Sequence, residues 1–169
     1  MSDSKKEFPF PLGTVETGSF CAGLLGQLYE KDNKVYRLCQ ADNAITDPEN
    51  KVVVTAYSAG VPTYVVDVTT TLGDVDVAGV IPNDYNAINL AADDYFYVQV
   101  TGPCQVLAQA TTITEGAPLH AGSVAGTAQE IITGAEAKSA VKAYFAYATN
   151  TAAATAASLA ITAMLDGLL

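Results

Sequence analysis

Length, composition and charge set the first limits on this chain. It has 169 residues and a formal net charge of −10, because 18 Asp and Glu outnumber 8 Lys and Arg. Binding to phosphate groups needs clustered basic side chains, so this charge argues against a nucleic acid or an anionic membrane surface as partner. The length predicts one domain that buries a sizeable core.

The first residues, "MSDSKKEFPFPLG", predict an extended arm. Pro9 and Pro11 fix extended backbone geometry and disfavour helix. We therefore divide the chain into an N-terminal arm, residues 1–17, and a single β-domain, residues 18–169. The segment contains no apolar stretch of the length that a signal peptide needs, so we expect a cytoplasmic product.

Three apolar side chains of the arm share one direction. In an extended chain Phe8, Phe10 and Leu12 have the same parity, so they stay in water unless a surface receives them. One candidate receiver is a groove on a neighbouring copy or on another protein, with Lys5 and Lys6 available to meet acidic residues at its rim. The other is the arm's own domain, onto which the arm would fold back.

Alternating apolar residues predict two β-hairpins in the first half of the domain. In "LLGQLYEKDNKVYRLCQA", strands over residues 28–30 and 35–39 flank the polar turn "KDNK", whose Asp and Asn tolerate the required backbone angles. In "KVVVTAYSAGVPTYVVDVT", β-branched runs over residues 51–57 and 63–69 flank "SAGVP". A further short strand in "VDVAGVI" ends at Pro82.

The stretch "DDYFYVQVTGPCQVLAQ" predicts two more strands, over residues 95–101 and 105–109. Gly102 and Pro103 between them indicate a bend or a bulge. Tyr95 and Tyr97 share one face of the first strand, and Phe96 lies on the opposite face, which we expect to meet the core.

The alanine-rich final residues predict strands by their pattern, although alanine itself favours helix. Two runs alternate in parity, the first with Val141, Ala143, Phe145 and Tyr147, the second with Leu159, Ile161, Ala163 and Leu165. We interpret "ATNTAAATAAS" between them as a loop or a short helical turn, and a helix over residues 152–165 stays open as an alternative. With roughly ten short strands, the fold class is all-β, a compact β-barrel or sandwich with an extended N-terminal arm.

Candidate catalytic residues are few. His120 is the single histidine of the chain, which excludes a site built on several histidines, and we interpret it as a loop residue bonded to backbone. Cys21, Cys39 and Cys104 form no Cys-x-x-Cys pair, and their odd number predicts three reduced, buried thiols.

Paired carboxylates at residues 74 and 76 and at residues 93 and 94 lack further oxygen ligands nearby. We interpret them as solvated strand ends instead of a calcium site. The most apolar window, "TAAATAASLAITAMLDGLL", contains Asp166 and is too weakly apolar to span a bilayer. The sequence predicts no cofactor, no metal site and no transmembrane segment.

The order of several segments is similar to a known family. The segments are "FPFPLGTV", "GSFCAGLLGQLYEKDNKVYRLCQAD", "VAGVIPND", "DYFYVQVTGPCQVL", "ITEGAPLHAGSVAGT" and the closing alanine-rich strands. In this order they resemble the small decoration, or cement, proteins that cover tailed-bacteriophage capsids, and the resemblance extends over most of the chain. Gly116-Ala117-Pro118-Leu119 resembles the family's usual Gly-Asp-x-Leu turn, with Ala117 where that pattern commonly has an acidic residue.

The resemblance implies a structural virion protein and no enzyme. Such proteins bind the outer surface of an icosahedral capsid, commonly as homotrimers near local three-fold positions, and stabilise the shell against the pressure of the DNA inside. The implied partners are the major capsid protein and further copies of the chain, with no cofactor, and the implied location is the capsid exterior after synthesis in the bacterial host's cytoplasm. The candidate capsid or neighbour contacts are Lys5, Lys6, Phe8, Phe10 and Leu12. We also expect strand edges or the apolar C-terminal region to lie between subunits of a trimer.

Three other functions stay open from the sequence. One is another virion component, such as a tail or capsid part. A carbohydrate-binding β-module would use Tyr57, Tyr64, Tyr95 or Tyr97. A small hydrolase built on a β-barrel would require His120 or Cys104 to be catalytic.

Overall fold

The computed structural model describes residues 7–71, 76–109, 112–131, 145–150, 152–153 and 159–165, and only the backbone of residues 152–153 and 159–161. Over these residues the chain forms strands and two short 3₁₀ helices, Ser19–Leu24 and Asn83–Tyr85. The strands are β1 (Leu28–Lys31), β2 (Lys34–Ala41), β3 (Val52–Ser58), β4 (Val61–Val68), β5 (Val77–Val80), β6 (Tyr95–Ala108), β7 (Thr112–Ile113), β8 (Pro118–Ala121), β9 (Ala128–Glu130), β10 (Ala146–Ala148), β11 (Ala152–Ala153) and β12 (Leu159–Leu165). The predicted all-β class is confirmed.

Ten of these strands form one continuous sheet that closes on itself twice. The strand order is β1-β2-β4-β3-β5-β6-β12-β10-β8-β9, and β6 also pairs with β2 and with β9. The β2–β6 pairing closes a first ring of β2, β4, β3, β5 and β6. The β6–β9 pairing, between Ala108 and Ala128, closes a second ring of β6, β12, β10, β8 and β9. β7 and β11 pair separately.

One long strand belongs to both rings. The residues of β6 from Tyr95 to Thr101 pair with β2, and those from Gly102 to Ala108 pair with β12. The partner changes at Gly102, where φ is +94° and an added Cβ would lie 2.7 Å from the carbonyl oxygen of Asn33, so glycine is required there. The sequence predicted two strands with a bend or a bulge between them, but the strand is continuous because each half bonds to a different partner.

Three apolar clusters are formed by the described residues. One contains residues from all five strands of the first ring, including Phe96 and Val98. Another contains residues from all five strands of the second ring, including Val106. The third gathers Tyr97 and other tyrosines with the N-terminal segment and the first 3₁₀ helix. Because successive residues of a strand face opposite ways, the first half of β6 is buried on both faces.

The two predicted hairpins are both present. β1 and β2 are joined by Asp32 and Asn33, with φ of 52° and 62°, the positive values that a tight two-residue hairpin turn needs. β3 and β4 are joined by a shorter turn than predicted. Val61 pairs with Ser58, so it belongs to β4 and the predicted turn residues "VP" lie in the strand.

The C-terminal prediction is partly correct. β12 is a strand with Ala163 and Leu165 buried and Met164 exposed, so the helix alternative over residues 152–165 is wrong. The predicted loop contains β11, which pairs with β7. The parity predicted for residues 141–147 fails where it can be read, since Phe145 is buried just before β10 and Tyr147 is 38% exposed. Residues 141–144 lie outside the described residues.

Candidate interaction surfaces

The N-terminal segment packs against the chain's own sheet. The ring of Phe10 lies 4.6 Å from that of Tyr97, and Phe10 is only 4% exposed. The Tyr97 hydroxyl donates to the Phe10 carbonyl oxygen at 3.3 Å, and the Phe10 amide approaches the same hydroxyl at 3.5 Å. Phe8 contacts Tyr29 and Tyr97 at ring-centroid distances of 5.2 and 4.9 Å. The structure therefore has the fold-back arrangement.

This arrangement places three of the predicted contact residues against the chain's own domain. Phe10 is buried, and Phe8 and Leu12 are half-buried against the third cluster, so these side chains are already received by their own domain. Farther along, Glu16 pairs with Tyr95 in an isolated bridge, which ties the segment to β6. The predicted contacts Lys5 and Lys6 lie outside the described residues.

The tip of the β3–β4 hairpin is the most exposed apolar part of the described chain. We define the hairpin tip as residues 55–64, "TAYSAGVPTY", a stretch without a charged residue. Residues 56–61 are all exposed, with Tyr57 at 50% and Val61 at 63%. From the sequence, the only function predicted for Tyr57 was sugar binding in the carbohydrate-binding alternative. Charge-free runs also occur at residues 17–29, 95–114 and 143–165, so the sequence contained no signal specific to this loop.

Tyr64 anchors the hairpin tip to the first ring. Its φ of 58° accompanies a register shift between Thr55 and Tyr57, which marks a β-bulge. The Tyr64 ring covers Gly26, where an added Cβ would overlap it. On the same ring, the guanidinium carbon of Arg37 lies 5.1 Å from the centroid, a cation–π contact. These contacts hold the hairpin tip in one orientation relative to the first ring of strands.

Hydrogen bonds within the hairpin tip add to this rigidity. The Thr63 hydroxyl donates to the carbonyl oxygen of Ala56 at 3.0 Å. The Tyr64 amide donates to the Thr55 hydroxyl at 3.2 Å. The two threonine side chains thus form hydrogen bonds to backbone groups that the bulge leaves without a partner on the opposite strand.

The tyrosines of the carbohydrate alternative do not form one platform. Tyr95 and Tyr97 are 7% and 0% exposed, because the N-terminal segment and the first 3₁₀ helix cover that face of the sheet. Tyr64 is half-buried on Gly26 and Arg37. Only Tyr57 of these four is exposed.

A cleft of about 470 Å³ lies where the two rings meet. Its lining includes Lys34, Asp84 and the amide of Gln99. Gln99 is 1% exposed, and its Nε2 donates to the carbonyl oxygens of Thr101 and Pro103 at 3.2 and 2.9 Å. The buried polar group of this cleft therefore supports β6 at the point where the strand changes partner.

The predicted candidates for nucleophilic chemistry are buried. Cys21, Cys39 and Cys104 are unlinked and buried, as predicted. Burial raises the pKa of the Cys39 and Cys104 thiols to about 12 and also raises the pKa of Cys21, so the reactive thiolate is rare at neutral pH. His120 is 3% exposed and lies in β8, so its placement in a loop was wrong.

Of the carboxylates singled out in the sequence, Asp94 is 6% exposed, so its interpretation as a solvated strand end was wrong, whereas Asp93 is exposed. Asp94 Oδ2 accepts from the Ala91 amide at 2.7 Å, and Asp93 Oδ1 accepts from Gln40 Nε2 at 3.3 Å. Residue 74 is outside the described part of the chain. Within that part, no group of three or more His, Cys, Asp or Glu side chains is placed to hold a metal ion. The helices described there are all too short to cross a membrane.

No protein-family model matches the chain, and no curated protein matches it. Among solved structures, it is similar to the head fiber gp8.5 N base of bacteriophage phi29, with 15% identity and a TM-score of 0.48. The match covers 79% of this chain and 94% of that one. At this identity and TM-score, the similarity does not establish a shared function.

Proposed function

We propose that this chain is a structural protein of a bacteriophage virion that binds the outer surface of the capsid and stabilises it as a decoration protein. The segments that resemble the decoration family support the proposal. The structural observation that carries it is the hairpin tip, which combines exposed apolar side chains, absence of charge and a rigid anchor. A fixed element of this kind suits docking into a groove of an ordered lattice, because little conformational entropy is lost on binding.

The hairpin tip supplies enough apolar surface to change binding measurably. Tyr57 and Val61 are 50% and 63% exposed. Full burial of an apolar side chain contributes roughly 1.5–3 kcal/mol, so covering the exposed parts of two contributes about 2 kcal/mol, or roughly 30-fold in affinity. Because the tip has no charge, docking requires no desolvation of an ion.

Binding to expanded, empty capsids tests the proposal. The double variant Tyr57→Ala and Val61→Ala is compared with the unmodified chain and with Phe20→Ala, a control that removes another exposed apolar side chain, 57% exposed. Co-sedimentation gives the affinity of each. We expect the double variant to bind roughly 30-fold more weakly and Phe20→Ala to bind as the unmodified chain does.

The results separate the function from the surface. If the unmodified chain fails to bind expanded capsids, the decoration function is wrong. If all three proteins bind alike, the function stands and the assignment of the hairpin tip is wrong. Bound protein is also expected to raise the temperature at which DNA-filled capsids rupture.

The remaining parts of the proposal concern partners. The major capsid protein is the proposed receptor, and homotrimers at local three-fold positions on the capsid exterior are the proposed arrangement. Labelling of intact particles with an antibody to this chain distinguishes the alternatives, because a decoration protein is labelled over the capsid, a tail component only on the tail, and an inner capsid part not at all. A structural protein needs no catalytic His120, so His120→Ala is expected to change folding stability and leave the capsid affinity of the folded fraction unchanged.

A further inference from the structure

The outer face of the second ring carries a continuous row of apolar side chains. Residues that pair directly across antiparallel strands place their side chains on the same face. Met164 of β12 pairs with Pro103 of β6 and with Tyr147 of β10, and Tyr147 also pairs with Pro118 of β8. These four residues therefore form one row across four strands, which we call the apolar row.

The apolar row faces solvent. Met164 is 44% and Tyr147 38% exposed, Pro103 is exposed and Pro118 is half-buried. The residues before and after Met164 are not part of the row, because Ala163 and Leu165 are 1% and 2% exposed and point into the ring. The second ring is thus filled on its inside and carries the apolar row on its outside.

Neutral polar groups border the apolar row. Gln105 pairs with Thr162 in the next row of the sheet, and both are exposed. The Thr162 amide and hydroxyl donate to Asn150 Oδ1 at 3.2 and 2.8 Å. An apolar centre with Tyr and Met and a polar rim is the usual anatomy of a protein–protein interface.

The described residues of this face carry no charge, although charge is plentiful elsewhere in the chain. The residues of β6 from Gly102 onward, and all residues of β8, β10 and β12, include no Asp, Glu, Lys or Arg. The remaining strand of the ring, β9, contains Glu130, whose Oε2 accepts from the Thr114 amide at 2.7 Å. Beyond the polar rim, the cleft between the rings brings Lys34 and Asp84 to the border.

We infer that this face is a contact between copies of this chain. Each copy has a net charge of −10, so two copies that meet through charged surfaces repel each other. A face that is apolar and neutral is where two such molecules can meet without like charges being brought together. The inference rests on the proposed homotrimer and deepens it by naming the face through which the copies meet; it does not depend on the capsid being the other partner.

Sedimentation velocity on the intact chain tests the inference. It is run up to millimolar protein in about 0.15 M and about 1 M salt, between which the screening length falls from roughly 8 to 3 Å. We expect a reversible oligomer whose dissociation constant is equal or lower in the higher salt, because apolar contact persists while repulsion between acidic copies is screened. A monomer under both conditions would overturn the inference.

Two substitutions at one position distinguish the effect of the apolar row on association from the effect of overall charge. Met164→Glu and Met164→Lys change the net charge in opposite directions but both put an ion in the centre of the apolar row. We expect each to raise the dissociation constant at least tenfold, with thermal unfolding unchanged because the side chain is 44% exposed. If Met164→Lys tightens association while Met164→Glu weakens it, overall charge controls association and the inference is wrong.

A matched control places the same charge elsewhere. Val61→Glu puts a carboxylate on the hairpin tip, 63% exposed, and is expected to associate as the unmodified chain does. Equal loss in Val61→Glu and Met164→Glu would contradict the assigned face. Capsid binding of the same proteins tests the two proposals separately. If the unmodified chain is monomeric and still binds capsids, the self-association inference is wrong and the proposed decoration function stands.

Discussion

Replacing Phe10 with alanine removes the ring that joins the N-terminal segment to the sheet. Phe10 is 4% exposed and its ring stacks on Tyr97 at 4.6 Å. Truncating a buried Phe costs about 3–5 kcal/mol. We expect the lower end, about 3 kcal/mol, because the ring covers the outside of a sheet, where neighbouring side chains can fill part of the space.

Thermal unfolding followed by circular dichroism measures this cost. For a chain of this length, 1 kcal/mol corresponds to about 2–4 °C in Tm, so Phe10→Ala should lower Tm by about 6–12 °C. Phe20→Ala is the control, since Phe20 is 57% exposed and a surface substitution changes stability by less than about 0.5 kcal/mol. Deleting residues 1–12 should lower Tm at least as far as Phe10→Ala. Equal Tm values for Phe10→Ala and Phe20→Ala would refute the argument that the segment is an integral part of the fold.

Three further expectations concern glycine, pH and thiols. Gly79 has φ of +150°, and an added Cβ would overlap the carbonyl oxygen of Gln99. Gly79→Ala should therefore lower the free energy of unfolding by about 2 kcal/mol or more, measured by urea denaturation. Gly23→Ala is the control, because an added Cβ there meets no atom within 4 Å, and it should change the urea midpoint little. Burial raises the pKa of Cys39 and Cys104 from 9.0 to about 12, so the unfolded chain releases these protons first as pH rises. The two protonated thiols contribute fully to the free energy of unfolding below pH 9, and this contribution falls by about 1.4 kcal/mol per pH unit for each thiol as the pH rises toward 12. Equal urea midpoints at about pH 7 and about pH 10 would contradict this expectation. All three cysteines should resist alkylation in the folded chain and take three labels after unfolding, which intact mass reports.

Local sequence signals predicted the parts of the fold that local geometry determines. The β1–β2 hairpin was predictable because Asp32 and Asn33 accept positive φ and the residues on either side alternate. β12 was predictable from the parity of Ala163 and Leu165, which the burial of both confirms. In each case, the information lies within a few residues of the element.

Distant partners determined what the sequence did not show. The continuity of β6 through Gly102 depends on β2 and β12, which are far away in the chain, and the ring closures have no local signature. Sequence parity correctly placed Phe8, Phe10 and Leu12 on one side of the segment, but it could not identify the surface against which they pack. The apolar row was invisible for the same reason, since its members become neighbours only through strand register.

The shared strand β6 also constrains how the protein can be made. Leu159 of β12 pairs with Ala108, so the second ring cannot close until residue 165 has been synthesised. At about 5–20 residues per second, the second half of β6 waits roughly 3–11 s for this partner. During this interval its unpaired backbone and the neutral residues after Gly102 can meet other nascent chains. Because the hazard is an encounter with another nascent chain, the yield of native protein should rise when weak induction lowers the number of chains made at the same time.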